Sequence, residues 1–263
     1  MRISIIGAGN MGSSIASALS SGGYEVSVYD TVREKSEALC SAHPSIKALS
    51  SIDEASGSDV VIIAVKPQVL PSLYMALREI DTDLWISIVA GVPLSALEDH
   101  LGTDTVVRFM PNIAARSMRS VTAIAAGSGV MAEDKEKAIA IASSFGSAYL
   151  IPEELFPAFI GISGSGIAYI LEMMHHMAMG GVKEGIPYPE ALSIVRDTMF
   201  SASSLQKESG RNAVDLECMV CSAAGTTIEG VRALQDGGFA SSVMEAVERA
   251  SEKSRELEAK ASR

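Results

Sequence analysis

The sequence Gly7-Ala8-Gly9-Asn10-Met11-Gly12 lies between a short apolar run at residues 3–6 and a helical pattern at residues 13–19. In a glycine motif between a strand and a helix, the first glycine permits a tight turn and the second lets the backbone approach a pyrophosphate. The third glycine lets the helix pack on the strand. The helix N-terminus then offers free N–H groups and the positive end of its dipole to the anion. We therefore predict a dinucleotide cofactor site formed by Gly7, Gly9, Asn10, Met11 and Gly12.

An acidic residue ends the second predicted strand, at residues 25–29. Asp30 lies near the spacing of about 20 residues beyond the glycines at which an acid binds the ribose hydroxyls of a dinucleotide. A carboxylate there favours NADH, because it repels the additional phosphate of NADPH. Arg33 is close in sequence, and a guanidinium group can instead clamp that phosphate. We predict that both Asp30 and Arg33 contact the cofactor, with NADH favoured over NADPH.

The overall composition limits the classes of partner. The chain has 263 residues and a net charge of −11, which argues against nucleic acid or an anionic membrane as partners. No apolar run reaches the ~18 residues of a membrane span, and the N-terminal apolar stretch is too short for a secretory signal. The three cysteines give no disulfide framework, which fits a reducing, cytoplasmic setting. Cys218 and Cys221 form a CxxC pair without a matching second pair, so we expect no metal site.

Residues 1–151 alternate between strand-like and helical patterns. We predict strands near residues 3–6, 25–29, 59–64, 84–89, 105–109, 121–126 and 148–151, and helices at 31–41, 69–80, 94–100 and 132–145. This alternation indicates an α/β domain with a mostly parallel, Rossmann-like sheet covered on both faces. Ligands of such sheets bind beyond the carboxyl ends of the strands. Two proline-stiffened loops follow strands there, and they predict cofactor contacts from Val65, Lys66 and Pro67 in one loop and Asn112 in the other.

The strand-like patterns end after residue 152. Helical patterns follow at residues 165–185, 189–209, 213–219, 226–235 and 241–260. We therefore predict a second, all-helical domain at residues 152–263. Its first helix carries Met173, Met174, Met177 and Met179, an apolar surface that is typical of a core or of a dimer interface.

A run of small residues, 222–225, precedes the helix at residues 226–235. The first N–H groups of a helix are free and suit a substrate carboxylate, while a threonine hydroxyl there is able to bond the reacting group. The structural alternative is that one threonine simply caps the helix. Gly225, Thr226 and Thr227 are the predicted substrate-binding residues. Ser165, at the start of the methionine-rich helix, is a further one, with an ordinary helix N-cap by Ser163 or Ser165 as the alternative.

Several segments together resemble the pyrroline-5-carboxylate reductase family over nearly the whole chain. The matching segments are IGAGNMG at 6–12, AVKPQ at 64–68, AGVPL at 90–94, MPN at 110–112, SGSG at 163–166, GGVKEGIP at 180–187 and GTTIEGVRALQDGGF at 225–239. SGSG and the last segment are specific to this family, whereas the glycine motif and the KP dipeptide are shared with many dehydrogenases.

The resemblance implies a C-terminal helical domain that dimerises through interlocking helices, with dimers often assembled into larger rings. It also implies reduction of the cyclic imine 1-pyrroline-5-carboxylate to L-proline by NADH or NADPH. In the family, the active site lies between the nicotinamide and the helix that begins with GTT. By this resemblance, the backbone at Gly225 and Thr226 holds the substrate carboxylate, and Thr227 is the catalytic residue that hydrogen-bonds the ring nitrogen. Many family members prefer NADPH, in conflict with the interpretation of Asp30.

The chain departs from the family pattern at several positions near the expected pocket. These positions are Ile113, Ala114, Ile167, His175, Met179, Ala223 and Ala224. They leave open a related small imine as substrate, or a keto-acid or hydroxy-acid reaction of the β-hydroxyacid dehydrogenase type with Lys183 as acid/base. A nucleotide-binding regulator that has lost turnover is the third alternative.

Overall fold

The computed structural model describes residues 1–261, with side chains through residue 259. The chain forms two compact units. Unit 1 contains residues 1–164 together with the described residues from 250 onward, and unit 2 contains residues 165–249.

Unit 1 is built on one eight-stranded sheet with the spatial order β3-β2-β1-β4-β5-β6-β7-β8. The strands are β1 Arg2–Ile6, β2 Glu25–Tyr29, β3 Lys47–Ala48, β4 Ser58–Ile63, β5 Thr82–Ser87, β6 Val106–Met110, β7 Ser120–Ala126 and β8 Gly146–Leu150. All neighbouring strands are parallel except the pair β6 and β7, which is antiparallel. Strand order reverses between β1 and β4, which is where ligands bind to sheets of this kind.

Helices cover both faces of this sheet. They are α1 Asn10–Ser21, α2 Arg33–Ala42, α3 Tyr74–Arg78, α4 Leu94–Leu101, α5 Ala132–Ser143 and the short α6 Phe156–Phe159. Side chains alternate between the two faces along each strand. On β1, Ile5 therefore packs in one apolar cluster with α1, while Ile6 packs in another with α4.

A buried arginine in unit 1 bonds a carboxylate from the C-terminal part of the described chain. Arg108 on β6 is 1% exposed, and its Nη1 and Nη2 atoms donate to Glu153 Oε1 at 2.7 Å and Glu258 Oε1 at 2.8 Å. Its guanidinium group also lies 4.8 Å from the ring centre of Phe156. Two carboxylates thus balance a charge that would be costly to bury alone.

Unit 2 is helical. Its helices are α7 Gly166–Lys183, α8 Tyr188–Ser209, α9 Ala213–Val220, α10 Thr226–Asp236 and the first part of α11 Phe239–Ala261. A π-helical turn, Ile160–Gly164, precedes α7 at the end of unit 1. In the part of the chain that is described, one helical stretch, Glu153–Lys183, is long and apolar enough to cross a membrane by length and composition. One such stretch is weak support for a membrane span, because core helices of soluble proteins pass the same test.

The predicted fold class is confirmed: a mostly parallel Rossmann-like sheet is followed by a helical domain. Two details differ from the sequence patterns. The two-residue strand β3 was not predicted, because it is too short to show alternation. The helix predicted at residues 69–80 is split into a 3-10 turn, Leu70–Ser72, and α3.

Candidate active site

The glycine loop has the geometry that its sequence predicts. Gly7 has φ +117°, and a Cβ atom there would lie 2.5 Å from the carbonyl oxygen of Ala64. A Cβ atom on Gly12 would lie 2.0 Å from the carbonyl oxygen of Gly7. A Cβ atom on Gly9 would meet nothing within 4 Å. The first and third glycines are therefore required by packing, whereas the second leaves open space above the loop.

Helix α1 begins immediately beyond that open space. Gly9 is its N-cap residue in an extended conformation, and no side chain caps the helix. Asn10 is exposed, while the side chain of Met11 packs against the apolar core, so Met11 is able to offer a ligand only its backbone. The free N–H groups of this first turn and the empty space at Gly9 fit a dinucleotide pyrophosphate.

Two neighbouring cavities of about 850 and 300 Å³ adjoin the loop. Gly9, Lys35 and Lys66 line both of them. The larger cavity runs along the serine-rich face of α1, with a 3-10 helix on its far wall. The smaller one lies over the carboxyl ends of β1, β2 and β4 and includes Asp30 and Val65. Pro67 lines neither cavity.

Asp30 braces the glycine loop. Its Oδ2 atom accepts a hydrogen bond from the Ala8 N–H at 2.8 Å, and its Oδ1 atom accepts one from the Val32 N–H at 2.8 Å. The Nζ atom of Lys35 lies 3.9 Å from Oδ1. The Asp30 side chain is 11% exposed; its Oδ2 atom bonds the glycine loop, and its Oδ1 atom bonds the turn that follows β2. Arg33 is far more exposed, and its Nε atom donates to Glu37 Oε1 at 2.7 Å.

In the other predicted loop, the Asn112 side chain is buried and hydrogen-bonded within the protein. Asn112 is 5% exposed. Its Oδ1 atom accepts from the Ala114 N–H at 3.2 Å, and its Nδ2 atom donates to Ser163 Oγ at 3.1 Å. The residues of this segment that line the larger cavity are Ala115, Arg116 and Met118.

In unit 2, α10 begins much as α1 does. Gly225 is the N-cap residue with φ −85° and ψ 172°, and no side chain caps the helix. Thr226 and Thr227 are its first two residues, the former exposed and the latter half-buried. Ala224, just before them, has φ +56°, a left-handed conformation that a residue with a Cβ atom adopts at a cost. The helix therefore presents free N–H groups, as the small residues of the sequence predict.

Ser165 is half-buried and lies directly before α7. Its side chain makes no capping hydrogen bond, and its carbonyl oxygen accepts from the Ala168 N–H at 2.9 Å. The Ser165 hydroxyl group therefore does not cap α7, contrary to the alternative interpretation of this residue.

Sequence patterns did not reveal two features of the site. One is the pair of hydrogen bonds that Asp30 accepts from backbone N–H groups, and the other is the hydrogen bond between Asn112 and Ser163. An acid after a strand and an asparagine after a proline both have several common roles. Their hydrogen-bond partners depend on the tertiary fold, because residues such as Asn112 and Ser163 are 51 positions apart in the sequence.

The glycine loop, its uncapped helix and the surrounding cavities define a dinucleotide-binding domain of the Rossmann class. Family models agree with both parts of the chain: "NADP oxidoreductase coenzyme F420-dependent" matches residues 2–91, and "pyrroline-5-carboxylate reductase dimerisation" matches residues 153–257.

Individual relatives identify the family within this class of protein. A pyrroline-5-carboxylate reductase of Methanosarcina acetivorans is 40% identical over 97% of this chain and 97% of its own length. The solved structure of a pyrroline-5-carboxylate reductase from Coxiella burnetii is 26% identical, with a TM-score of 0.89 over 97% of each chain. The Plasmodium falciparum pyrroline carboxylate reductase, solved with NADP bound, is 25% identical, with a TM-score of 0.83 over 98% of each chain. This chain belongs to the pyrroline-5-carboxylate reductase family, as the sequence resemblance predicts, and its helical part is a dimerisation domain.

Proposed function

We propose that the protein reduces 1-pyrroline-5-carboxylate to L-proline, as a cytoplasmic enzyme of proline biosynthesis. The observation that carries the proposal is the 40% identity to a named pyrroline-5-carboxylate reductase along nearly the whole of both chains. It is supported by the uncapped N-terminus of α10, where the family-specific segment at residues 225–239 begins.

Residues 1–151 carry the dinucleotide in this proposal. The N–H groups at the start of α1 bind its pyrophosphate, Gly7 and Gly12 keep the loop closed, and Val65, Lys66 and Pro67 border it. A bound reduced nicotinamide would supply a hydride from its C4 atom to the carbon of the protonated imine, so that the ring nitrogen already carries the proton that it has in proline. The chain has to orient two ligands and exclude water, so positioning supplies most of the acceleration.

Residues 152–263 recognise the substrate and form the dimer. The N–H groups of Gly225 and Thr226 bind the carboxylate, because the first turn of a helix attracts an anion. The Thr227 hydroxyl hydrogen-bonds the ring nitrogen and holds the imine carbon toward the hydride donor. Ser165 closes this site. Dimers assemble further into rings, and neither nucleic acid nor a membrane is a partner.

The preferred cofactor in this proposal is NADPH. Asp30 is committed to the N–H groups of Ala8 and Val32, and Lys35 approaches it to 3.9 Å. Lys35 lines both cavities, and its ammonium group, together with the guanidinium group of Arg33 that pairs with Glu37, is proposed to bind the additional phosphate of NADPH. The sequence pattern at Asp30 favours NADH instead, and the relative from Plasmodium falciparum was solved with NADP bound.

The substrate role of Thr227 is tested by Thr227→Ala and Thr227→Ser in steady-state assays of NADPH oxidation with pyrroline-5-carboxylate. We expect Thr227→Ala to lower kcat/KM by about 1–3 kcal/mol, or roughly 5- to 150-fold, because a polar partner loses its hydrogen bond. Thr227→Ser keeps the hydroxyl and retains most of the activity. Thr198→Ala is a matched control, since Thr198 Oγ1 donates to the Ile194 carbonyl within α8. An unchanged kcat/KM for Thr227→Ala removes Thr227 from the site.

A further inference from the structure

A buried polar network connects the far wall of the larger cavity with the π-helical turn Ile160–Gly164. Asn112 lies at its centre: its N–H donates to Ser120 Oγ at 3.1 Å and its Nδ2 to Ser163 Oγ at 3.1 Å. Ser163 Oγ in turn donates to the Val121 carbonyl at 3.3 Å, and Ser120 Oγ lies 3.0 Å from Thr122 Oγ1. Asn112, Ser163, Ser120 and Thr122 are all at least nine-tenths buried, so each depends on the others for its hydrogen bonds.

Asn112 also caps the 3-10 helix that forms the far wall of the larger cavity. Its Oδ1 atom accepts from the Ala114 N–H at 3.2 Å and so caps the 3-10 helix Ile113–Ser117. Ala115 and Arg116 from that helix, and Met118 just beyond it, line the larger cavity opposite Gly9 and Asn10. The position of the wall relative to the glycine loop is therefore set at Asn112.

The wall also holds a residue in a costly conformation. Met118 has φ +54° and ψ 37°, the left-handed region, although it carries a side chain. Such residues persist only where the surrounding structure fixes them, and they cluster at ligand-binding segments. The surrounding constraints here are the hydrogen bonds of Asn112 and the bonds from Met118 N–H to the Ala115 carbonyl and from Arg119 N–H to the Ala114 carbonyl.

We propose that Asn112 is a positioning residue for cofactor binding, which acts through Ser163 and the 3-10 helix rather than by touching the cofactor. Loss of the Ser163 hydroxyl leaves the buried amide of Asn112 without its main acceptor. The amide then reorients, the cap on Ala114 is lost, and the wall moves away from the glycine loop. This inference rests on the proposed function only in taking the nicotinamide dinucleotide as the ligand of the larger cavity.

The test measures the dissociation constant of NADPH by calorimetry for Asn112→Ala, Ser163→Ala and the double variant. We expect each single variant to weaken binding about 5- to 10-fold, and the double variant to be no weaker than Asn112→Ala alone, because both changes break one network. In turnover assays, KM for NADPH rises in the same proportion, while kcat changes less than twofold.

Ser4→Ala is the matched control. Ser4 is a fully buried hydroxyl on β1 that bonds Ser27 Oγ and Ser58 Oγ, both at 2.7 Å. It lines neither cavity, so its loss lowers the melting temperature to a similar extent and leaves the NADPH dissociation constant unchanged.

Three results overturn the proposal. In the first, Asn112→Ala melts earlier but binds NADPH within twofold of the parent protein, which indicates a purely structural role. In the second, Asn112→Ala weakens binding and Ser163→Ala does not, so that Asn112 acts without Ser163. In the third, the two effects multiply in the double variant. Because NADPH binding is measured without substrate, failure of the protein to reduce pyrroline-5-carboxylate is a separate outcome.

Discussion

Unit 1 covers its apolar side chains within the chain, whereas unit 2 leaves most of them at its surface. In unit 1, two clusters of fully buried residues fill both faces of the sheet. In unit 2, the buried cluster contains only Ala178, Ala191 and Val195. Large apolar side chains such as Leu171 and Phe200 are 57% and 69% exposed.

This difference indicates that unit 2 needs a partner to cover its apolar surface, whereas unit 1 does not. Exposed apolar patches of this kind mark interaction surfaces, and the match of residues 153–257 to a dimerisation family names a second copy as the partner. The candidate cofactor site belongs to the unit that is packed by itself. The proposed substrate helix, α10, belongs to the unit whose apolar surface is covered on dimerisation.

The largest effect that we expect tests the close packing of unit 1. Gly12→Ala forces a Cβ atom toward the Gly7 carbonyl oxygen, so the loop has to open, at a cost of about 3 kcal/mol or more. Gly9→Ala meets no atom within 4 Å, so the fold is kept, but the methyl group occupies the space of the pyrophosphate. Thermal unfolding and NADPH calorimetry separate the two: Gly12→Ala loses stability, and Gly9→Ala loses only affinity. Equal melting temperatures for both variants contradict the packing account.

The second effect tests the dependence of unit 2 on a partner. Phe200→Asp places a charge on the exposed apolar surface, and the loss of one buried phenylalanine costs about 1.5–3 kcal/mol for each copy. In a two-fold symmetric dimer the change occurs twice, so the dissociation constant rises at least a hundredfold. Analytical ultracentrifugation over a dilution series measures it.

Met75→Asp is the matched control for this change. Met75 is 88% exposed in unit 1, so the dimer is expected to remain intact. A Phe200→Asp protein that dissociates no more readily than Met75→Asp contradicts the assignment of this surface to the dimer.

The third effect concerns the two charges beside the glycine loop. Asp30→Ala removes the acceptor of the Ala8 and Val32 N–H groups, so we expect both NADH and NADPH to bind about 1 kcal/mol more weakly. Lys35→Ala removes a cation that lines both cavities, so it weakens NADPH about as much and leaves NADH unchanged. Calorimetry with NADH and with NADPH distinguishes the effects of the two variants. Tighter NADPH binding by Asp30→Ala would mean that the carboxylate repels the additional phosphate directly.

The smallest effect is a pH-dependent stability within unit 1. Partial burial, together with the charges of Asp104 and Glu153, raises the pKa of Glu98 above its ordinary value of 4.5, although the Ser128 N–H bonds the carboxylate. The folded state therefore disfavours the ionised form. Stability falls as the pH rises from about 4.5 through the raised pKa, and it is recovered on acidification.

Glu98→Gln removes this penalty while it keeps an acceptor for the Ser128 N–H group. We expect a melting temperature that is about 1–3 °C higher at pH 7 and no gain at pH 4. Glu54→Gln, at an exposed position, serves as the control. A gain of equal size at both pH values contradicts the burial explanation.

The sequence predicts the fold of unit 1 because its signals are local. Alternating apolar residues mark the strands, and the glycine spacing marks the first turn. The helices of unit 2 are equally visible in the periodicity of residues 165–260. Pairings between distant residues are not visible, as the contacts of Arg108 with Glu153 and Glu258 illustrate.

For the candidate site, sequence patterns locate the glycine loop and the start of α10, but they do not predict the hydrogen-bond partners of individual polar side chains. Asp30 has the spacing of a ribose ligand, and in the structure its oxygens also accept from the N–H groups of Ala8 and Val32. Asn112 follows a strand at the cofactor edge, yet its amide is buried. Both outcomes depend on which backbone groups the fold leaves without a partner.

The most direct test of the central claim follows a deuterium label from cofactor to product. The protein is incubated with pyrroline-5-carboxylate and NADPH that carries deuterium at C4 of the nicotinamide, and the product is examined by mass spectrometry and NMR. The account predicts one L-proline formed per NADPH oxidised, with the deuterium on the ring carbon that was the imine carbon. NADPH that binds but forms no labelled proline contradicts it.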